Sequence, residues 1–360
     1  MFPILAQSLI PLSLSLLMQI CTPQAEVVVL QNATVSAVFT FGDSILDTGN
    51  NNHLITLVKS NFPPYGRHFM GGKPTGRFSN GMIPSDFFAR QLGIKELLPA
   101  FLDPNLQLQA LIGGINFASA GAGFDPLTSE LVSVIPMSTQ LRLFDEYKTK
   151  LKSSIGEERA DSIVANGLYI VSAGSNDIAA TYLHTPTRIF NYSIPSYTEL
   201  LVRSASSFLQ ELHIKGARRI GVFSLSPLGC TPLQRTLASG IERRCAEDDN
   251  RMAQLFNSKL SLELHRLNGA FPHAKMALVD AYGLLLDIMK NPAAYGFEIS
   301  DRGCCGSGLI ETGFMCSQWD FLTCSNASGH VFWDAFHPTE NAYRILVQGL
   351  LGKLLVDLYS

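Results

Sequence analysis

The sequence lacks the short motifs that mark several large enzyme classes. It contains no His-Glu-x-x-His zinc motif, no Gly-x-x-x-x-Gly-Lys-[Ser/Thr] phosphate loop and no Gly-x-Gly-x-x-Gly dinucleotide motif. The Gly-x-Ser-x-Gly elbow of ordinary α/β-hydrolases is missing as well. Metalloprotease, P-loop and dinucleotide-binding functions therefore have no support in the sequence, and we expect neither a metal nor a cofactor.

A surplus of basic charge is also absent. The chain carries 27 Lys and Arg against 30 Asp and Glu, a net charge of −3, so nucleic acid is not an expected partner. Its 360 residues are 46% hydrophobic and 16% charged, the balance of a globular protein with a large core. No repeat or linker divides the chain, so we expect one domain over residues 26–360, whose oligomeric state the sequence leaves open.

The first 25 residues contain no Lys, Arg, Asp or Glu and include an apolar stretch over residues 9–20. This pattern predicts a secretory signal peptide over residues 1–25. The alternative is a membrane anchor, which needs about 20 continuous apolar residues. Ser, Gln and Pro11 interrupt the stretch, and no later segment is long and apolar enough, so we expect no stable membrane span.

The number of cysteines also favours a secreted protein. There are seven, and loss of Cys21 with the signal peptide leaves an even number, which suits three disulfides. Six cysteines allow 15 pairings, of which we favour only Cys230–Cys245, because that pair is isolated from the others. A zinc site is the competing explanation for the C-terminal four, but no Cys-x-x-Cys occurs there and no His lies at ligand spacing. The disulfide candidates are Cys230, Cys245, Cys304, Cys305, Cys316 and Cys324.

Three N-glycosylation sequons begin at Asn32, Asn191 and Asn326. Each tripeptide is weak evidence alone, because such sequences arise by chance. Together with the N-terminal segment and the paired cysteines they predict a secreted, extracellular protein.

Strand-like and helix-like segments alternate along the chain, which predicts a mainly parallel sheet covered by helices on both faces. Binding sites of such sheets form beyond the carboxyl ends of the strands. The predicted strands are Ala37–Phe41, Leu168–Ala173, Ile220–Leu225 and Met276–Val279. The predicted helices are Pro84–Leu92, Leu141–Leu151, Tyr197–Ile214, Asn250–Leu267 and Asn341–Leu358.

Two short motifs carry residue types suited to nucleophilic catalysis. Ser44 directly follows the first predicted strand, where a serine can present its hydroxyl at the sheet edge, although a serine there can also be a simple helix cap. Asp334-Ala-Phe-His337 can supply a base and the carboxylate that orients it from one loop. The alternative for this motif is a surface histidine beside a capping aspartate.

Several blocks in a fixed order give the chain a resemblance to the GDSL, or SGNH, hydrolase family, and in particular to its plant esterase/lipase branch. The resemblance covers nearly all of the sequence after the signal peptide. The blocks are Phe41-Gly-Asp-Ser-Ile-Leu-Asp-Thr-Gly-Asn-Asn51, Thr75-Gly-Arg-Phe-Ser-Asn-Gly81, Gly114-Ile-Asn-Phe-Ala-Ser-Ala-Gly-Ala-Gly123, Gly174-Ser-Asn-Asp177, Ser226-Pro-Leu-Gly-Cys-Thr-Pro232, Cys304-Cys-Gly306 and Trp333-Asp-Ala-Phe-His-Pro-Thr-Glu340.

The resemblance implies a role for each matching residue. Ser44 would be the nucleophile, His337 the general base and Asp334 the carboxylate that fixes its tautomer. The oxyanion would accept hydrogen bonds from the backbone N–H groups of Ser44 and Gly121 and from the side-chain amide of Asn176. The chain departs from the family pattern at Ile45, where a Leu is usual, and at Ala120, where a Gly is usual and where Ala disfavours a positive φ.

The implied fold is an SGNH-hydrolase (flavodoxin-like) three-layer α/β/α arrangement, and the implied activity is hydrolysis of carboxylic esters through a Ser44 acyl-enzyme. Lipid acyl esters or acetyl esters on cell-wall polymers would be the substrates, in the cell wall or apoplast. An acyltransferase using the same residues is one alternative. A non-catalytic cell-wall glycoprotein that binds carbohydrate or lipid is another.

Polar residues near the nucleophile have structural interpretations. Asp43 and Asp47 suit turn and helix-start hydrogen bonds, and Asn50 and Asn51 suit structural roles. Arg77 could contact a ligand, but an ion pair that braces its loop is the favoured prediction.

Overall fold

The structure of the protein is a computed structural model that describes residues 35–317, 319 and 321–359. The predicted signal peptide over residues 1–25, with Cys21, the start of the domain at residue 26 and the sequon at Asn32 lie outside the described residues. The strands are β1 (Val38–Gly42), β2 (Gly114–Asn116), β3 (Leu168–Ser172), β4 (Arg219–Phe223), β5 (Lys275–Val279), β6 (Ile299–Gly303) and β7 (His330–Phe332). The α-helices are α1 (Pro84–Gln91), α2 (Pro126–Val132), α3 (Met137–Ile155), α4 (Glu157–Ala165), α5 (Pro186–Asn191), α6 (Ile194–Ile214), α7 (Pro232–Ser239), α8 (Glu247–Ala270), α9 (Ala281–Lys290) and α10 (Glu340–Tyr359).

The central sheet has five parallel strands in the order β2-β1-β3-β4-β5. This is the strand order of flavodoxin-like folds. The strands are added toward one edge of the sheet from β1 to β2 and toward the other edge from β3 onward, so the order reverses between β1 and β3. In the β1–β3 pair, Gly42 lies opposite Ser172, so the turns that follow these two strands are side by side. The register therefore brings polar residues from distant parts of the sequence to one edge.

Alternate residues of the strands face two separate helical layers. Phe39, Phe41 and Val171 point toward the layer formed by α3, α4, α6 and α8. Val38 and Ile170 point toward the layer formed by α1, α9 and α10. Successive strand residues face opposite sides of the sheet, and helices cover both sides. The expected three-layer α/β/α architecture is therefore confirmed.

The four predicted strands and five predicted helices are all present, with boundaries that differ by a few residues. β2 was not predicted, because it has only three residues, the first of which is glycine, and so shows no alternation of apolar and polar residues. α6 begins at Ile194, three residues before the predicted start, where Ser193 caps the helix and Pro195 occupies its first turn. α10 begins at Glu340 and is preceded by Thr339, whose hydroxyl accepts from the Ala342 N–H.

Three disulfides join the six cysteines. Cys230 pairs with Cys245, as favoured from the sequence. The other pairs, which the sequence left open, are Cys304–Cys324 and Cys305–Cys316. They hold the segment between β6 and β7 against a small buried cluster that contains Tyr65, Phe78 and Trp333. Among the helices of the described residues, none has the length and apolar character required to cross a membrane.

Candidate active site

The turn after β1 places Ser44 at the edge of the sheet. Gly42 has φ of 130°, and a Cβ atom there would lie 1.8 Å from the Ser172 carbonyl oxygen, so only glycine fits. The Asp43 N–H donates to Ser172 O, and the Leu46 and Asp47 N–H groups donate back to Asp43 O. These bonds define a tight turn that carries Ser44, whose side chain lines the cavity beside the sheet edge.

The two ends of the described chain meet at this turn. His337 Nε2 lies 2.8 Å from Ser44 Oγ, and His337 Nδ1 lies 2.8 Å from Asp334 Oδ2. All three side chains are at least nine-tenths buried. The geometry is that of a nucleophile, a base and an orienting carboxylate.

The loop that carries Asp334 and His337 is fixed by its own backbone. The Trp333 N–H donates to His337 O, and Phe332 forms an antiparallel bridge with Pro338. Asp334 Oδ1 accepts from the His337 N–H at 2.6 Å and from the Phe336 N–H at 2.8 Å. The spacing of the Asp-x-x-His motif is therefore the length of a closed turn in which the carboxylate is tied to the residue that it orients.

The structure also brings the predicted oxyanion donors to Ser44. The chain after β2 continues along the end of β1, where the Ser119 N–H donates to Gly42 O. Gly121, with φ of 85°, and Asn176 then line the same cavity as Ser44 and His337. The Asn176 amide donates to Ala122 O at 3.0 Å, which fixes its orientation. Backbone and amide donors of this kind can stabilise an oxyanion.

The departure at Ala120 has no backbone cost. The described non-glycine residues with positive φ are Ser133 and Arg243, so Ala120 keeps an ordinary conformation and Gly121 makes the turn. The Ala120 N–H donates to Asp47 Oδ2, and its carbonyl accepts from Asn51. The loop therefore does not require glycine at position 120, whereas Gly121 has the positive φ.

The polar residues near Ser44 have the structural roles that the sequence predicts. They join the turn after β1 to the loop after β2. Asp47 accepts from the N–H groups of Gly49 and Asn50, and the Asn50 amide donates to Asn116 and to Ala118 O. Burial raises the pKa of Asp47 to about 6. Burial raises the pKa of Asp43 to about 7. Its Oδ2 has no hydrogen-bond partner among the described residues.

Asp177 performs a similar task on the other side of the cavity. Its carboxylate accepts from the N–H groups of Phe124 and Asp125 and from the Thr128 hydroxyl. Burial raises its pKa to about 6. Because Asp177 follows Asn176 directly, these bonds tie the position of Asn176 to the glycine loop.

Arg77 is buried and makes a two-pronged ion pair with Asp86, with both N···O distances at 2.7 Å. It also donates to Thr48 O and Leu98 O. It does not line the cavity beside Ser44. This is the loop-bracing ion pair that the sequence predicts, and it leaves no role for Arg77 in ligand contact.

An apolar cavity of about 540 Å³ opens beside Ser44, and sequence reasoning did not identify its wall. The wall combines one loop before α1, the end of α2, the π-helical turn after β3, the start of α7, the disulfide-linked segment before β7 and the loop that carries His337. No periodicity links such short pieces, so spacing could not have found them. The apolar lining residues include Leu57, Val58, Leu131, Val132, Ala179, Ala180, Leu233, Phe314, Met315 and Phe336.

Tyr65 is a second residue that sequence reasoning missed. Its hydroxyl lies 2.7 Å from Asp334 Oδ2, although 269 positions separate the two residues. The side chain is fully buried. The only signal in the sequence is its place in the Pro-rich loop before Thr75–Gly81, which does not point to a role.

The remaining candidates lie away from this cavity. Asn191 and Asn326 are exposed. His330 lies near Cys304 and Cys324, but these sulfurs are bonded to each other and do not offer the thiolates that zinc requires. The two cysteines that a zinc site here would need are therefore already joined in a disulfide.

Comparisons with known proteins agree with the geometry. Residues 38–350 match the family model described as GDSL-like Lipase/Acylhydrolase. A GDSL esterase/lipase of Arabidopsis thaliana is 50% identical over 91% of this chain and 88% of its own length. Another from the same plant is 51% identical over 89% of this chain and 90% of its own length. The Arabidopsis thaliana GDSL esterase/lipase EXL3 is 49% identical over 89% of this chain and 88% of its own length.

Proposed function

This chain belongs to the GDSL-like lipase/acylhydrolase family and is a serine esterase/lipase, and we propose that Ser44, His337 and Asp334 are the residues that perform its reaction. The observation that supports the assignment is the continuous chain of contacts from Ser44 Oγ through the imidazole to the Asp334 carboxylate.

Ester hydrolysis at this site takes two steps. Ser44 Oγ attacks the ester carbonyl carbon while His337 Nε2 takes the hydroxyl proton, and the same proton is then given to the leaving alcohol. Water, activated by His337 in the same way, attacks the acyl-enzyme and releases the carboxylic acid. Asp334 holds the Nδ1–H tautomer throughout and balances the charge of the imidazolium.

The negative charge of each tetrahedral intermediate would fall on the carbonyl oxygen. We assign its stabilisation to the backbone N–H groups of Ser44 and Gly121 and to the Asn176 amide, which line one cavity. These donors are fixed by the Asp47 and Asp177 networks before substrate arrives. Little reorganisation would be needed in the transition state.

Within the two substrate classes that the sequence left open, we propose acyl esters with a chain longer than acetyl. The cavity beside Ser44 is far larger than an acetyl group requires, and aliphatic and aromatic side chains form most of its wall. An acetyl group would leave Leu131, Phe314 and Met315 without contact. A longer chain would cover them and remove their apolar surface from water.

We also propose that the protein is secreted after loss of residues 1–25 and that residues 26–360 form one extracellular domain. Three disulfides in the described residues support this proposal, because such bonds persist in oxidising compartments. The exposed sequons at Asn191 and Asn326 agree with it. N-terminal sequencing of the protein from the extracellular fluid tests the cleavage site.

The test of the catalytic assignment uses a fluorophosphonate probe, which labels activated serines, and p-nitrophenyl esters of acetate, octanoate and palmitate. Wild type should be labelled and Ser44→Ala should not. Ser129→Ala is the control, because this buried hydroxyl has no hydrogen-bond partner among the described residues and does not line the cavity. Equal labelling of Ser44→Ala and wild type removes Ser44 from the mechanism, whereas a preference for acetate removes only the chain-length proposal.

A further inference from the structure

Tyr65 contacts the Asp334 carboxylate from a loop that no catalytic motif includes. Its hydroxyl oxygen lies 2.7 Å from Asp334 Oδ2 and accepts a hydrogen bond from the Gly313 N–H at 2.8 Å. Gly313 belongs to the segment that also contributes Phe314 and Met315 to the cavity wall. One phenol group therefore connects the carboxylate to the cavity segment.

The direction of the hydrogen bond between Tyr65 and Asp334 follows from the bond to Gly313. Because the Gly313 N–H points at the phenol oxygen, the hydroxyl proton must point elsewhere, and the carboxylate is its partner. Burial and the charge of Asp334 raise the pKa of Tyr65 well above its usual value, so the group keeps its proton. Tyr65 is thus a donor to Asp334 at every working pH.

Asp334 receives its other hydrogen bonds from its own loop. Oδ1 accepts from the backbone N–H groups of Phe336 and His337, and Oδ2 faces His337 Nδ1. Among the described residues, Tyr65 is the one donor to this carboxylate from outside residues 333–337. It bonds Oδ2, the oxygen nearer to the imidazole nitrogen, and so fixes the oxygen that must orient the base.

The ring of Tyr65 is itself held firmly. It makes edge contacts with Phe62, Phe78 and Trp333 at centroid distances of 5.7, 5.8 and 6.2 Å. Phe78 in turn packs against the His337 ring at 4.9 Å. The phenol therefore cannot move away from Asp334 without disturbing the cluster beside the imidazole.

We propose that Tyr65 is a positioning residue for ester hydrolysis, which holds the Asp334 carboxylate in the orientation that His337 requires. The inference rests on the proposed function of Ser44, Asp334 and His337. Without the phenol, one lone pair of a fully buried carboxylate loses its partner, and the carboxylate is free to turn away from Nδ1. The base would then be misoriented in part of the molecules.

The experiment compares Tyr65→Phe with Tyr169→Phe. Both tyrosines are fully buried, and Tyr169 donates to the Val164 carbonyl at 2.8 Å away from the active site, so each change deletes one buried hydroxyl group. Tyr65→Phe removes two hydrogen bonds, to Asp334 and from Gly313, and Tyr169→Phe removes one. Three quantities are measured: the melting temperature, kcat and KM for p-nitrophenyl octanoate, and the downfield proton NMR resonance of His337 Nδ1–H. The resonance reports the hydrogen bond to Asp334 whether or not the enzyme turns over.

We expect Tyr65→Phe to lower kcat about tenfold to hundredfold, with KM within about twofold of wild type, and to move or broaden the Nδ1–H resonance. Tyr169→Phe should also lower the melting temperature, and it should leave kcat and the resonance as in wild type. Unchanged kcat in Tyr65→Phe, an unchanged resonance, or an equal loss of kcat in Tyr169→Phe overturns the proposal. Full activity of Ser44→Ala would instead overturn the proposed function, and the resonance would still decide the contact of Tyr65.

Discussion

The catalytic side of the cavity is buried and hydrogen-bonded, whereas the side that faces it is apolar and open to solvent. Ser44, His337 and Asp334 are 4%, 5% and 0% exposed, and Leu57 and Phe314 are 77% and 63% exposed. The catalytic side is held by backbone bonds within a closed turn and by buried carboxylates. The apolar side is held by the elements that carry it, by the Cys305–Cys316 disulfide and by the hydrogen bond from the Gly313 N–H to Tyr65.

Under the proposed function, this difference assigns the reaction to the catalytic side and the choice of acyl chain to the apolar side. Catalysis depends on donors and acceptors placed to within fractions of an ångström, so each polar group needs several bonds. An acyl chain needs only apolar contact, and one aliphatic side chain can replace another at small cost. Changes in the two sides should therefore affect different kinetic quantities by very different amounts.

The largest effect is expected from Asp334→Asn, which keeps the shape of the catalytic side. One oxygen becomes an NH₂ group, which must face either the backbone N–H groups of Phe336 and His337 or the donors at Oδ2. Both arrangements bring donor against donor, and the imidazole is released from the required tautomer. We expect kcat to fall about 10⁴-fold, measured with p-nitrophenyl octanoate.

The far-UV circular dichroism spectrum and melting temperature of Asp334→Asn serve as controls. A folded variant with more than about a tenth of wild-type kcat would mean that Asp334 does not orient the base.

The next effect is expected from Asn176→Ala, which removes one proposed oxyanion donor and leaves the charge system in place. Loss of such a donor typically lowers kcat about 10²- to 10³-fold. Asn257→Ala is the matched control, because Asn257 is also half-buried and its amide donates to a backbone carbonyl, that of Leu225, at 2.9 Å. An equal loss in both variants would assign the effect to folding instead of to the oxyanion.

A smaller effect, confined to chain length, is expected on the apolar side from Phe314→Ala. The variant removes an aromatic contact for a long acyl chain and no polar group. We expect the ratio of kcat/KM for octanoate to that for acetate to fall about fivefold. Phe190→Ala is the control, since this exposed ring does not line the cavity. An equal fall of kcat/KM for both esters would mean that Phe314 affects the reaction itself and not the choice of acyl chain.

The same contrast explains what could be predicted from the sequence. The strands around Phe41 and Val171 are apolar runs, and the long helices have clear periodicity. The alternation of strands and helices, and with it the three layers, could therefore be predicted from the sequence. β2 was not, because three residues carry no period. The residues alone left a helix cap at Ser44 and a surface histidine at His337 open, and the roles of Ser44, Asp334 and His337 were predicted from the resemblance to the GDSL family. The structure places the three side chains within hydrogen-bond distance.

The rest of the site depends on contacts between distant segments. Leu57, Leu131 and Phe314 come from separate loops, and their proximity follows from the β1–β3 register and the disulfides, not from local sequence. Tyr65 is separated from Asp334 by 269 positions. The sequence alone offers no periodicity or local spacing from which such a contact could be deduced.

The smallest effect is expected on the pH dependence of stability, at the one carboxylate of the catalytic side that is not fully bonded. Burial raises the pKa of Asp43 to about 7 in the folded protein, from 3.8 for the unfolded chain. Between these values the folded state holds a proton that the unfolded state has lost. Stability from this group is therefore complete below about pH 3.8 and declines as pH rises through about 7. Asp43→Asn has no such proton, and its Oδ1 can still accept from the Ile45 N–H.

The measurement compares melting temperatures at pH 5 and pH 8 for wild type, Asp43→Asn and the control Asp103→Asn, whose carboxylate is exposed. Relative to Asp43→Asn, wild type should lose a few degrees between pH 5 and pH 8, because ionisation of a buried carboxyl without a partner at Oδ2 opposes folding. Asp103→Asn should follow the wild-type slope. If the melting temperatures of wild type and Asp43→Asn change equally between pH 5 and pH 8, the Asp43 carboxyl is solvated or hydrogen-bonded in the folded protein. Water would then reach the catalytic side more than its geometry indicates.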